Sequence, residues 1–191
     1  MTPHSPHRPD QAMTATDATT EQLLRDYFRA KDENRPWFMA RAFAPDARLR
    51  MVLKTSTIAF PSEVSGEPAI ADTLVRKFGQ TYENVHTFYL DRPAPGAVLT
   101  SFSCGWMVAM TEKASGNVRV GWGRYDWCFR PAPHRVEHLT ITIDSMETLA
   151  PEAMPEILGW ITQLPYPWLD RAALAGAPDL PALAGLRALA D

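Results

Sequence analysis

Three long runs of alternating side chains restrict this fold more than anything else in the sequence. Residues 98–111 place Phe102, Cys104, Trp106, Val108 and Met110 on one face. Residues 118–130 align Tyr125, Trp127 and Phe129, and residues 135–144 set Leu139, Ile141 and Ile143 against His138, Thr140 and Thr142. A period of two is the signature of a strand. The links are short: Lys113 to Asn117, where Ser115-Gly116-Asn117 accepts a positive φ, and Pro131-Ala132-Pro133. Long strands on short links predict an antiparallel meander, preceded by a strand over residues 85–91 and a turn at Pro93 to Gly96.

The first half reads differently. Residues 1–18 are polar and rich in Pro, Thr and Ala, and are expected to be a disordered tail. A helix is predicted from Thr20, as its cap, to about Asp32–Arg35, with Leu23, Leu24, Tyr27 and Phe28 on its apolar face. Pro36 starts a second helix carrying Trp37, Phe38, Ala40 and Phe43. Residues 47–56 alternate as a half-buried strand, and a short strand is predicted at 57–60 before Pro61. A third helix spans 66–78, with Ile70, Leu74, Val75 and Phe78 inward. After the meander a helix over 151–164 breaks at Leu164-Pro165-Tyr166-Pro167-Trp168, and an Ala- and Leu-rich remainder docks as short helices. The expected division is a tail (1–18), an α+β domain (19–148) and a C-terminal helical extension (149–191).

Composition excludes several classes. With a net charge of -3 and no basic run beyond Arg76-Lys77, nucleic-acid binding is not expected. No stretch is long and apolar enough to span a membrane, and the N-terminus lacks a signal core. Cys104 and Cys128 are expected to be buried free thiols, consistent with a reducing, cytoplasmic setting. No metal site is expected, because neither cysteine has a second ligand at zinc spacing. No cofactor is expected either: Gly121-Trp122-Gly123 is too short for a phosphate loop, and no G-x-S-x-G elbow occurs.

The order helix, helix, strand, helix, meander resembles the nuclear transport factor 2-like superfamily, a cone-shaped fold, and its SnoaL-like branch in particular. The phrases that carry the resemblance are Tyr27-Phe28-Arg29-Ala30-Lys31-Asp32, Ala42-Phe43-Ala44-Pro45-Asp46-Ala47, Gly66-Glu67-Pro68-Ala69-Ile70 and Gly123-Arg124-Tyr125-Asp126. The resemblance implies a curved antiparallel sheet wrapped around three helices, a small-molecule pocket and a homodimer through the outer sheet face, where Trp122 lies opposite Tyr125. Set against the ketosteroid isomerase branch, the first-helix oxyanion tyrosine falls on Tyr27 and the protonated acid near Tyr125. The catalytic base falls on Met51, which cannot abstract a proton, so steroid-type isomerisation is not expected. Dehydratase- and cyclase-like relatives use a histidine on the strand after the third helix, where His86 stands; His138 is a later candidate.

Each residue also has a plainer reading. Tyr27 and Tyr125 are oxyanion donors or core tyrosines. His86 is a general base or a structural histidine, and strand parity leaves its face undecided. Met51, Phe102, Trp106 and Trp127 are pocket walls or core. Asp126 pairs with Arg124 on the outer face or is turned inward by a bulge. Two functions remain open: a cofactor-independent lyase, isomerase or cyclase acting on a small apolar oxygenated molecule, or a non-catalytic binding or interaction domain. A cavity on the order of hundreds of Å³ that holds an ionisable group and a hydrogen-bond partner favours the enzyme. A filled or apolar cavity favours binding.

Overall fold

A computed structural model describes residues 17–191. The tail expected at 1–18 lies almost wholly outside the described residues. Ala18 is docked, its carbonyl accepting from His134 Nδ1 at 2.7 Å. The first helix, α1 (Thr20–Asp32), is capped one residue earlier than expected. Thr19 stands three residues before Gln22, and the two close a reciprocal capping box. Then come α2 (Trp37–Ala42) and β1 (Phe43–Leu53). Phe43 opens the strand and does not end the helix. Register is lost between Phe43 and Arg48, around Pro45, which has no N–H to give the ladder.

The short strand expected at 57–60 does not form. Residues 54–62 are an irregular loop, and the paired segment is β2 (Glu63–Ser65). A helical run follows from α3 (Glu67–Ala71) through a π-helical stretch (Asp72–Lys77) into α4 (Phe78–Thr81). The meander is β3 (Tyr82–Tyr89), β4 (Ser101–Glu112), β5 (Val118–Pro131) and β6 (His134–Leu149). The sheet order is β2-β1-β6-β5-β4-β3. It is antiparallel except at one place: β1 lies parallel to β6, because the long helical connection lets the chain return on the opposite edge of the meander.

The inner face packs on α1 to α4. Leu139, Ile141 and Ile143 are buried there with Leu49, Trp106, Val108, Tyr125 and Trp127. The outer face is split. Over β3, β4 and the start of β5 it carries Phe88, Leu90, Met107, Ala109, Val118, Val120 and Trp122. These are covered by the C-terminal extension, through Ile157 and Ile161 of α5 (Met154–Ile161), Leu169, Leu174, Leu183, and Leu186 of α6 (Ala184–Arg187). Trp122 is only 8% exposed. Gly185 allows the approach, since a Cβ there would sit 2.9 Å from the indole. The bulky outer residue that suggested a dimer contact is thus satisfied within the chain. The extension also clips the sheet edge: Tyr89 N donates to Pro167 O at 2.8 Å and Leu169 N to Tyr89 O at 2.9 Å. Trp168 lies beneath the guanidinium groups of Arg25 and Arg92, 4.2 and 5.0 Å from its ring centre.

Farther along β5 the outer face is polar. Arg124 and Asp126 pair there at 2.8 Å, and Ser103 donates to Asp126 at 2.6 Å. Cys128 shares this uncovered face and is exposed, contrary to expectation, whereas Cys104 is buried. No helix among the described residues is long and apolar enough to cross a membrane.

If the extension is a second core layer, cutting into it costs as much as cutting into the inner core. Ile161→Ala is expected to lower stability by about 2–5 kcal/mol, measured by urea denaturation. Removal of residues 150–191 is expected to expose the outer patch and cause aggregation, read by light scattering.

Candidate functional site

The cone's interior is built from facing side chains of α1 and the inner sheet. Four positions between them explain its chemistry. Tyr27 and Lys31 are one helical turn apart, so both point from α1 into the cone. Thr87 on β3 is in register with Val108, and Trp106 with Gly123. Gly123 lies at the shift in β5–β6 pairing, where any Cβ would collide with Thr142 O at 2.0 Å. The same carbonyl accepts from Trp106 Nε1 at 3.2 Å, which holds the indole across the sheet.

The inner cavity measures about 40 Å³. It is lined by Tyr27, Lys31, Met51, Thr87, Trp106 and Tyr125, with aliphatic and aromatic side chains completing the wall. That is room for water-sized occupants, well below the roughly 300–1,000 Å³ of a usual ligand pocket. The cavity is not purely apolar. Lys31 Nζ donates to Asp32 Oδ1 at 2.8 Å and to Thr87 Oγ1 at 2.6 Å. Thr87 Oγ1 donates to Asp32 Oδ1 at 2.8 Å, and Thr87 N to Oδ2 at 2.8 Å. Tyr166, from the extension, donates to Oδ2 at 3.2 Å. The side chains of Lys31 and Asp32 are 8% and 4% exposed. Desolvating such a pair costs several kcal/mol, which the surrounding donors offset in part.

Asp32 is thereby saturated, accepting on both oxygens. Lys31 is not: an ammonium has three N–H donors, and among the described residues its hydrogen bonds go to two acceptors, Asp32 and Thr87, with the Phe78 ring 5.0 Å away on another side. Tyr27 Oη is also buried without a partner among the described residues. Its ring stands edge-on to Tyr125, centroids 6.0 Å apart at 89°. Burial pushes the Tyr27 phenol well above its ordinary value, with the neighbouring Tyr125 hydroxyl opposing and Asp32 adding to the rise. Burial, then Tyr27, does the same to Tyr125. Both are neutral donors at physiological pH.

Met51 lines the cavity where the isomerase branch would hold its base, and Trp106 and Tyr125 line it too. Trp127 does not reach it: fully enclosed, it packs 5.3 Å from the Tyr27 ring, its Nε1 without a partner. Phe102 is half-buried at the margin of the same core and also stays outside. His86 lies on the opposite face of β3, in register with Ala109, in an outer cleft beside Phe88 and Tyr166. The inward position on that strand is Thr87. His138 is on the outer side, bonded to Thr140 Oγ1 at 3.2 Å, and His134 is held between Ala18 O and Leu99 O. No described histidine or carboxylate lines the cavity. Among the described residues no cluster of His, Cys, Asp and Glu could hold a metal. The sequence reading missed Lys31, Asp32 and Thr87. The signal was present in the four-residue spacing from Tyr27 to Lys31 and the shared parity of Thr87 and Tyr89.

No family model and no curated protein matches the sequence. Solved structures do resemble its shape. A hexachlorocyclohexane dehydrochlorinase from Novosphingobium barchaimii LL02 aligns at 11% identity and TM-score 0.51, covering 68% of this chain and 87% of the other. An NTF2-like protein from Burkholderia thailandensis E264 aligns at 14% identity and TM-score 0.50, covering 69% and 91%. A ketosteroid isomerase-like protein from Catenulispora acidiphila DSM 44928, solved with trimethylamine, aligns at 14% and 0.50, covering 64% and 85%. At such identities the likeness shows the fold alone, and that fold is the nuclear transport factor 2-like cone. The part of this chain left uncovered is about as long as its first residues and C-terminal extension together.

The buried phenols have a measurable consequence. Tyr27, Tyr89 and Tyr125 are all raised above 10.0 by burial, so the unfolded chain loses these protons first as pH climbs. Their stabilising effect is complete below pH 10 and is lost above it. The melting temperature is expected to fall steeply above pH 10, with phenolate absorbance rising only as the protein unfolds.

Proposed function

We propose that the cone takes up a small, mainly apolar molecule and holds one of its oxygen atoms between Lys31 and Tyr27. One observation supports this most directly: two donors line the same cavity with capacity to spare among the described residues, Lys31, whose Nζ has two oxygen acceptors and otherwise meets the Phe78 ring at 5.0 Å, and the hydroxyl of Tyr27. A buried donor without a partner costs about 1–3 kcal/mol, which an acceptor on a ligand would recover. Asp32 holds Lys31 in place through the 2.8 Å contact between them. Tyr125 completes the rim with its own neutral hydroxyl.

Such a site stabilises negative charge on a carbonyl oxygen as it becomes an enolate or alkoxide. The reading is therefore a cofactor-independent lyase, isomerase or cyclase in which Lys31 and Tyr27 stabilise the oxyanion by hydrogen bonds and a water in the cavity takes the proton from carbon. Several proteins of similar shape are named for chemistry on small molecules, among them the dehydrochlorinase above. A second reading, binding without turnover, is favoured by one specific feature: no carboxylate or histidine lines the cavity to remove a proton from carbon. A ligand larger than water enters on either reading only if loop 54–62 moves, because Ile58 and Phe60 close the cavity.

Acetophenone and ethylbenzene separate these ideas, being alike in shape and differing in the carbonyl. Calorimetry is expected to show tighter binding of the ketone. Lys31→Met is expected to weaken it by about tenfold, as for loss of a hydrogen bond from a charged donor, and Tyr27→Phe by less. Ethylbenzene should be indifferent to both. Equal affinity for the two probes would sink the oxygen-binding site. Faster deuterium exchange at the ketone's methyl group with wild type than with Lys31→Met would support the enzyme. Binding without exchange would support the binding domain.

A further inference from the structure

A second cation sits at the mouth of the cone. Arg119 on β5 is in register with Met110 and Thr148, so it points to the inner side of the sheet, and it is 5% exposed. Among the described residues no carboxylate lies within ion-pairing distance of it. Its Nη2 donates to the backbone carbonyl of Thr57. Its Nε is buried without a partner among the described residues. A surface arginine without an acid is hydrated. A buried one with half of its donor edge unused carries an uncompensated charge.

The carbonyl it holds belongs to the segment that closes the cavity. Thr57 also donates from Oγ1 to Met146 O. Ile58 and Phe60, just beyond it, line the inner cavity on one side and a mouth cleft of about 260 Å³ on the other. Lys77 and Tyr82 line that cleft. Arg119 itself lines neither the cavity nor the cleft; it lies behind Thr57, one residue before the Ile58 that lines both. Lys31, by contrast, is already paired with Asp32. The uncompensated positive charge of the interior is therefore at the mouth, beneath the loop.

We propose that Arg119 receives the acidic head of the ligand, and that the ligand is an amphipathic monocarboxylate. Nε and Nη2 form one edge of the guanidinium fork, matched to the two oxygens of a carboxylate. A single carbonyl, Thr57 O, satisfies only one of them. A carboxylate takes both, displaces Thr57 O and releases the loop, so that Ile58 and Phe60 leave the space that the apolar body then fills. This rests on the reading that the cone holds a ligand, and it adds the ligand's charge and orientation.

The test uses octanoate and 1-octanol as probes of equal length, with binding followed by calorimetry on the full chain. Wild type is expected to bind octanoate about tenfold or more tighter than octanol, since the charged head gains charge-assisted bonds. Arg119→Gln should abolish that preference, so that the two probes bind with equal affinity. Arg119→Lys, which keeps the charge and loses the fork, should fall between. Hydrogen exchange on the wild type gives a readout independent of any variant's folding: at equal occupancy octanoate, which takes Arg119 from Thr57 O, should speed exchange across residues 54–62 more than octanol does. Equal affinity of wild type for the two probes, or equal loss of both in Arg119→Gln, would show that Arg119 only anchors the loop, while the ligand cavity stands. If neither probe binds and acetophenone does, the monocarboxylate is overturned alone. If none of the three binds, the cone reading falls with it.

Discussion

Half of the sheet carries large apolar side chains on both faces, and the rest of the chain is arranged to keep water from each. On the inner side Tyr125, Trp127 and Phe129 project toward α1 and α2. On the outer side Val118, Val120 and Trp122, from the start of the same strand, need cover of their own. A sheet with two apolar faces cannot rest against a single layer. The extension supplies the second layer through short helical turns, each placing one or two aliphatic side chains on the patch. Where the cover ends the outer strand positions become polar, with Arg124, Asp126 and exposed Cys128 facing solvent.

The two layers are joined through a polar contact as well as apolar ones. Tyr166 belongs to the extension, and its hydroxyl reaches Asp32 at the end of α1, which in turn holds Lys31 in the cone. The outer layer therefore helps to fix the charged end of the inner cavity. A buried lysine–aspartate pair is expensive to desolvate and contributes little net stability. Its retention beside an apolar cavity fits a role in recognising something polar on a ligand.

The two buried cations of the cone differ in their partners. Lys31 has two acceptors, Asp32 and Thr87, the first of them an acid. Arg119 has one carbonyl and, among the described residues, no acid. The cavity wall is mainly methionine, aromatic and aliphatic, with Met51 where the isomerase branch carries its base. Met110 and Met146, unbranched and polarizable, suit a wall that must repack when a loop withdraws.

Much of the fold was legible because period-two alternation and helix-start signals are local. The three meander strands, three N-terminal helical segments, the buried trio Leu139, Ile141 and Ile143, and the helix after Pro151 all follow from residues close in sequence. The expectation that Tyr27 and Tyr125 share one cavity came from the family resemblance for Tyr27 and from strand parity, a local rule, for Tyr125. What the sequence could not determine depended on which distant surfaces meet. His86 and Thr87 are equally polar neighbours on β3. Only the side on which α1 packs makes Thr87 the inward residue and sends His86 to the outer cleft. Trp122 reads the same whether a second copy or the chain's own extension covers it, because burial of an indole is indifferent to its source. Lys31 and Arg119 look like ordinary surface cations by type. They become interior charges only when the sheet curls over α1 and loop 54–62 folds across the mouth.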